Sequence, residues 1–194
     1  TKHSFPTRRS SDLSSVKIDE YGSLESAFSV AISLIGEFLI AFCDIQAIGL
    51  ALPGPYLKQE KIIAMPDTRH DWYHFQPQSI LEAYCDLPVF ALQDTNAAAL
   101  ASWWSNDRSS KTRSLAYMLL GERIGTGIVI DGQLFEGSCG TAAEIGHISI
   151  DINGAQCVCG NKGCLELYCS SDSLVKKAVK ERGKHPESGL NQYR

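Results

Sequence analysis

Three cysteines within eight residues, Cys157, Cys159 and Cys164, follow His147 in the stretch "EIGHISIDINGAQCVCGNKGCLELYCSS", residues 144–171. One imidazole and three thiolates form a donor set that Zn²⁺ prefers, and a structural zinc takes four such ligands in a closed tetrahedron. The C-x-C spacing brings two sulfurs to one side of an ion. Gly160 and Gly163 let "CGNKGC" bend tightly enough to return the third. The plain alternative is a set of buried free thiols with a core histidine. A redox disulfide fits less well, because the spacing is C-x-C and not C-x-x-C. Cys169 lies beyond the knot and is expected to pack as a small apolar residue.

A closed metal site leaves no open position for chemistry, so the expected role of the ion is to fold its loop and place its neighbours. Glu144 stands three residues before His147, and Glu166 two residues after Cys164. Both carboxylates are thereby fixed near the knot, where they can accept hydrogen bonds from sugar hydroxyls. The second ring nitrogen of His147 is free to face the same ligand. The bland alternative for both glutamates is a solvated surface position.

The rest of the chain narrows the class. At 194 residues it is long enough for one substantial core or two small lobes. The longest apolar run, Ala27 to Phe42, carries Glu37 and is short for a membrane span; its period of three to four predicts a buried amphipathic helix. Seven cysteines without a signal-peptide pattern point to a reducing cytoplasm, where close thiols bind metal more often than they pair. "HSFPTRRSSDL", residues 3–13, resembles the translation of a sequencing-adapter oligonucleotide, so residues 1–13 are expected to be an artefact and are set aside. That leaves 15 basic and 21 acidic side chains, a net charge of −6, and no nucleic-acid-binding face is visible in it. The chain ends in the polar stretch "GKHPESGLNQYR", and both ends are expected to be cut.

Hydrophobic periodicity and breakers predict an alternation of helices and strands with short connections, hence an α/β fold. A helix is expected over 24–42. "AIGLALPGP" reads as a strand stopped at Pro53-Gly54-Pro55. The segment 58–78 reads as a short strand followed by a loop. "SILEAYC" predicts a helix begun by Ser79, and "PVFALQD" a strand ending on Asp94. An alanine-rich helix, "TNAAALASWW", follows. The strands "SLAYMLLG" and "TGIVIDG" are expected on either side of a loop of Glu122 to Gly125, with a hairpin in "DGQLFEG". The last helix, "SDSLVKKAVKERG", is expected to be capped by Ser171 or Asp172 and to end at Gly183.

"EIGH" followed by "CVCGNKGCLE" resembles the signature of the ROK family of repressors, uncharacterised reading frames and sugar kinases. "LALPGP", "LQDTNAAALA" and "GERIGTGIVIDGQLFEG" support it, in the family's order, from about Ile48 to about Val179. The resemblance implies an actin-like, ribonuclease-H-like ATPase fold of two lobes around a cleft, here incomplete. Residues 14–93 would form part of the N-terminal lobe and 94–194 the start of the C-terminal lobe with its zinc loop. The aspartate of the family's "N-D-x-N" motif falls on Asp94, which in kinase members is the general base for the attacking sugar hydroxyl. A helix N-cap is the simpler role for the same residue. The neighbouring family asparagine, a sugar ligand, is Gln93 here. Glu144, His147 and Glu166 match further sugar contacts, and Gly54 lies in a turn that approaches the sugar in some members. Which sugar is chosen depends on loops around Pro66 and Asp67.

Kinase members carry a "G-T-G-I-G-x-G" loop whose backbone N–H groups cradle ATP phosphates. Here Gly121, Gly125 and Gly127 are kept, but Glu122 adds negative charge and Arg123 replaces a glycine. The resemblance therefore implies, first, the effector domain of a sugar-responsive transcriptional repressor of carbohydrate metabolism. Such a domain would bind a sugar or sugar phosphate, meet DNA only through an N-terminal domain outside this chain, and form a homodimer or larger oligomer away from any membrane. The alternative is an ATP-dependent hexose or N-acetylhexosamine kinase, glucokinase-like, with Asp94 as base. Zn²⁺ is expected in either case, and ATP with Mg²⁺ only in a kinase.

Overall fold

The computed structural model describes residues 14–15, 20–64, 72–105 and 113–189. The adapter-like residues 1–13 and the loop positions Pro66 and Asp67 lie outside the described residues. Helix α1, Leu24–Ala41, opens on Ser23, whose hydroxyl accepts the Ser26 N–H at 3.1 Å. The helix is where its period predicts, but its burial is not. Only Leu24 and Ala27 are buried, because contact with the core is confined to the first turn. There Leu24 and Phe28 join Leu52, Tyr56, Ile63, Phe75 and Ala91 in one apolar cluster. Among the described residues α1 is the one helix long and apolar enough to cross a membrane, with a mean hydropathy of 1.7.

Strand β1, Ile48–Leu52, pairs in parallel with β4, Val89–Gln93. Between them in sequence come a two-residue antiparallel pair, β2 (Tyr56–Leu57) with β3 (Ile62–Ile63), and helix α2, Pro77–Tyr84. Helix α2 starts ahead of the expected Ser79, because Pro77 in the first turn has its φ preset and no N–H to leave unsatisfied. The register of the parallel pair sets Leu52 opposite Gln93. Beyond Leu52 the chain turns through Gly54, at φ +67°, and beyond Gln93 it enters helix α3, Asp94–Ser105. The Gly54 turn and Asp94 thus emerge at the same carboxyl edge, the side of an open α/β sheet where ligands collect.

A second sheet is antiparallel: β5 (Ser114–Leu120), β6 (Ile124–Ile130) and β7 (Gln133–Leu134). The β6–β7 hairpin turns on Asp131-Gly132 with both φ values positive, +51° and +81°, as a two-residue turn of right-twisted strands requires. The turn from β5 to β6 is Gly121–Arg123, not Glu122–Gly125, because β6 already begins at Ile124. Gly125 and Gly127 are therefore strand residues. They lie against α3: a Cβ on Gly127 would meet the Thr95 carbonyl oxygen, and would stand 2.8 Å from Ala99 Cβ.

The chain finishes with α4, Glu166–Cys169, and α5, Ser171–Arg182. Ser170, not Ser171 or Asp172, caps α5, its hydroxyl accepting the Ser173 N–H at 3.3 Å. The same residue closes α4 through its own N–H to the Glu166 carbonyl, so one serine serves both helices. Gly183 ends α5 at φ −67°, without the left-handed turn that favours glycine.

Gly127→Ala is expected to lower stability by about 1–3 kcal/mol, through overpacking of α3 against β6. Gly49→Ala, on β1 with nothing within 4 Å of the new methyl, should change it by no more than about 0.5 kcal/mol. Urea denaturation of the two variants measures both. Equal costs would show that close packing is not why residue 127 is glycine.

Candidate functional site

The cysteine segment folds back on itself through backbone bonds. The Cys157 N–H donates to the Asn161 carbonyl at 2.8 Å, and the Gly160 N–H to the Cys157 carbonyl at 3.0 Å. The Ile150 N–H and Leu165 N–H then tie the returning strand to the outgoing one, at 2.9 Å each, onto Gly163 and Ile148. Gly163 sits at φ +62° with Asp151 so close that no Cβ would fit, which is why the return needs glycine. His147 enters at the end of a 3-10 turn, Ile145–His147, whose Gly146 packs on Ile124 of β6.

This lacing brings together all four residues expected to hold a metal. The ligand atoms of His147, Cys157, Cys159 and Cys164 lie within 4.8 Å of one another. Cys157 Sγ stands 3.6 Å from His147 Nδ1, and Cys159 Sγ stands 3.6 Å from Cys164 Sγ. Those are the edges of a tetrahedron: metal–sulfur bonds of ~2.3 Å and a metal–nitrogen bond of ~2.0–2.1 Å give edges of roughly 3.5–3.8 Å. They are far too long for a disulfide, whose bond is ~2.05 Å. Burial pushes the Cys164 thiol up to about 12, reinforced by its Cys159 and Cys157 neighbours. Such a thiol releases its proton to solvent readily only when a cation takes the proton's place on the sulfur. The residues present fit a tetrahedral divalent metal. Cys169, outside the set, is exposed and not packed as expected, because it faces away at the end of α4.

Around this knot the expected sugar-binding residues fall into two groups. The first is at the edge of the parallel pair. Gln93 is buried, 7% exposed, and donates from Nε2 to Glu144 Oε1 at 2.9 Å across 51 positions of sequence. Asp94 follows it as the first residue of α3, with Oδ1 accepting the Thr95 N–H at 2.7 Å. That is a bond to the adjacent residue, not to the second or third N–H of the helix as an N-cap makes. Burial of the half-buried carboxyl holds the Asp94 pKa above its ordinary value of 3.8, against the lowering effect of the backbone donors.

The second group lies at the β5–β6 turn. Glu166 Oε2 accepts the Ile124 N–H at 2.9 Å, and Oε1 lies 3.9 Å from the Arg123 guanidinium. The turn's own Gly121 N–H donates to the Arg123 carbonyl at 3.0 Å, while the Gly121 carbonyl accepts from Ser171 at 2.8 Å. The Arg123–Glu166 contact is not written in any motif. It depends on the knot carrying Glu166 back to a turn more than forty residues earlier. Asn96 was overlooked in a different way: it is the last asparagine of the "N-D-x-N" pattern, and it is buried with its Oδ1 unpartnered among the described residues.

With Asp94 at a parallel strand end and a Cys/His knot beside it, this α/β chain has the actin-like ATPase fold of the solved structures on which it superimposes. Within that class it belongs to the ROK family, whose sequence profile matches residues 24–191. A xylose repressor of Bacillus subtilis is 30% identical over 170 residues, 83% of this chain and 44% of the repressor. A solved ROK family transcriptional regulator, a homologue of the E. coli MLC protein, superimposes with a TM-score of 0.74 at 26% identity, covering 89% of this chain and 44% of that one. A ROK family glucokinase from Streptomyces griseus, in complex with glucose and AMPPNP, gives a TM-score of 0.69 at 28% identity, covering 85% and 52%. The chain thus spans less than half the length of the curated repressor, and its relatives include both regulators and kinases. Helix α1 lies inside the matched family region.

Two outcomes are expected. Cys159→Ser should release the metal and open residues 147–164 to proteolysis, measured by elemental analysis and limited digestion. A variant that retains one metal per chain with unchanged digestion would remove Cys159 from the ligand set. Asp94→Asn should raise the thermal midpoint at pH 7. A carboxyl with a raised folded pKa destabilises the fold above that pKa, and the penalty disappears as pH falls below the unfolded value. The gain should therefore close in acid; a lower midpoint at pH 7 would show Asp94 to be a structural cap.

Proposed function

We propose that the protein is the sugar-binding, zinc-containing section of a sugar-responsive transcriptional repressor. Zn²⁺ held by His147, Cys157, Cys159 and Cys164 would supply folding energy and no chemistry, since four protein donors close the site. Asp94, Gln93, Glu144, His147 and Glu166 would face the sugar, with the Gly54 turn beside them. The xylose repressor and the glucokinases among the relatives support a pentose or hexose as the ligand class. Residues 14–93 and 94–194 would belong to the two lobes of the cleft, in a cytoplasmic protein. Operator DNA would be met by segments outside these residues, and the signal relayed through a homodimer.

What supports a regulator over a kinase is the β5–β6 turn. The Gly121 and Ile124 N–H groups, which a phosphate cradle would direct at a nucleotide, are engaged with the Arg123 carbonyl and Glu166. Gly125 and Gly127 have a packing role against α3 that accounts for them without any phosphate. Glu122 adds negative charge where a triphosphate would lie. The kinase reading keeps one observation in its favour: Asp94 is half-buried at a strand end with its pKa raised by burial, which would suit a general base. In that case Gly121, Gly125 and Gly127 would approach Mg²⁺–ATP.

The expected outcome for the complete gene product is sugar binding without phosphoryl transfer. It is checked by calorimetry with D-xylose and D-glucose, and by a coupled assay with Mg²⁺–ATP. Turnover that disappears in Asp94→Asn would overturn the regulator reading in favour of the kinase.

A further inference from the structure

The knot residues differ in how far solvent reaches them: Cys157 and Cys164 are buried, His147 is partly buried, and Cys159 is exposed. Cys159 Sγ also stands 3.6 Å from Cys164 Sγ. The argument from spacing against a redox pair applies to Cys157 and Cys159, which are two positions apart. The fold supplies a different pair, Cys159 and Cys164. The chain returns between them through Gly160 and Gly163, at φ +91° and +62°. Bonds that involve no sulfur hold that return. The Cys157 N–H donates to the Asn161 carbonyl at 2.8 Å, Gln156 Nε2 to the Gly160 carbonyl at 3.0 Å, and the Ile150 N–H to the Gly163 carbonyl at 2.9 Å. The two sulfurs are thus kept close by the backbone as well as by any ion between them. An accessible sulfur beside a second, shielded one is the arrangement of a thiol that is oxidised and then resolved. Cys43, Cys139 and Cys169 are exposed too, but none has another sulfur within hydrogen-bonding distance among the described residues.

We propose that Cys159 is a site of reversible oxidation, at which a hydroperoxide joins Cys159 to Cys164 in a disulfide and so releases the metal. This rests on the metal-binding reading of the knot, and is independent of whether the protein is a regulator or a kinase. In the first step the Cys159 sulfur attacks one peroxide oxygen. The O–O bond breaks, hydroxide leaves, and Cys159 carries a sulfenic acid. The Cys164 sulfur then attacks the Cys159 sulfur, the S–O bond breaks, and a second hydroxide leaves. The two sulfurs supply two electrons, the peroxide accepts both, and solvent protonates the two hydroxides. A disulfide bond is ~2.05 Å long, so the sulfurs close in by about 1.5 Å from their 3.6 Å separation. Neither then carries the negative charge that binds a cation. His147 and Cys157 remain, two donors where a closed tetrahedral site takes four. Glu144 and Glu166 flank the knot and reach Gln93 and the Ile124 N–H. Loosening of the knot would therefore be felt at the strand end and at the β5–β6 turn. A dithiol reductant reverses the disulfide and lets the metal return.

The test follows metal release and disulfide formation in the metal-loaded complete gene product treated with hydrogen peroxide. A chromogenic chelator should register about one metal ion per chain, and peptide mapping after alkylation should find Cys159 joined to Cys164. Dithiothreitol with added Zn²⁺ should restore the thiols and the metal. The combined variant Cys43→Ser, Cys139→Ser and Cys169→Ser should release metal at a rate within about twofold of the unaltered protein. Cys159→His keeps four donors and removes the accessible thiol, so its metal should be released about tenfold or more slowly. Should the histidine variant not fold, the combined serine variant and the disulfide map carry the test. Metal retained in about a hundredfold excess of peroxide, or release without the Cys159–Cys164 disulfide, would overturn the proposal while leaving the metal site standing. So would slowed release from the serine variant, or undiminished release from Cys159→His. A chain that takes up no metal would overturn both.

Discussion

Three sulfurs and an imidazole nitrogen gathered within 4.8 Å cannot remain ionised beside one another without a cation between them. Burial disfavours the Cys164 thiolate first, and the Cys159 and Cys157 sulfurs beside it add to that cost. The site's acidic groups depend on how this cluster resolves. With a cation, the loop from His147 to Cys164 is a rigid knot, and Glu144 and Glu166 leave it in fixed directions. One reaches Gln93 and the other the Ile124 N–H. Without a cation, the two arms are held by backbone bonds and by side-chain bonds such as those from Ser149 to the Lys162 carbonyl and from Asn161 to the His147 carbonyl. The knot is small, yet both ends of the candidate site are anchored to it.

How much of this was legible beforehand depended on whether the signal was local. The metal donors were, because ligand type and spacing are written within eighteen residues. The Asp131-Gly132 turn and the helix over 24–41 were readable for the same reason. The N-cap of α5 shifted by one residue because Ser170 joins two helices, which a reading of either helix alone does not show. Residues whose role is set by partners far along the chain were not legible. The close approach of Gly125 and Gly127 to Thr95, some thirty residues upstream, is such a long-range contact. The burial of α1 was overestimated because periodicity reports which face is apolar, not how much of that face finds a partner.

Asp94 illustrates a common trade in functional sites. Its neighbours do little to ease its ionisation: the Thr95 N–H and its own N–H donate, and burial outweighs them. A chain selected for stability alone would place a neutral residue there. Retention of a desolvated carboxyl at a strand end is the physical argument that the position serves a ligand, whether as a proton acceptor or as a hydroxyl-binding group. Glu166 is the opposite case, since its carboxylate is well satisfied by Ile124 and lies near Arg123. A sugar that recruited Glu166, as proposed, would have to compete with those contacts, so its binding and the shape of the β5–β6 turn would be coupled.

That coupling suggests how occupancy could be felt elsewhere in the molecule. Helix α3 begins at Asp94 and is pressed onto β6 through Gly125 and Gly127, too tightly for a side chain to intervene. The strand end, the helix and the antiparallel sheet must therefore move together or not at all. The Gln93–Glu144 bond is one polar link from that unit to the residues flanking the knot, and the Ile124–Glu166 bond is another. A ligand entering between them exchanges one fixed distance for another, and the difference in contacts between the two arrangements is what an equilibrium responds to. In a kinase the same exchange would bring a nucleophile toward Asp94. With the β5–β6 turn amides already engaged, there is less for a nucleotide to grip, and under the proposed regulator reading the movement itself would be the output.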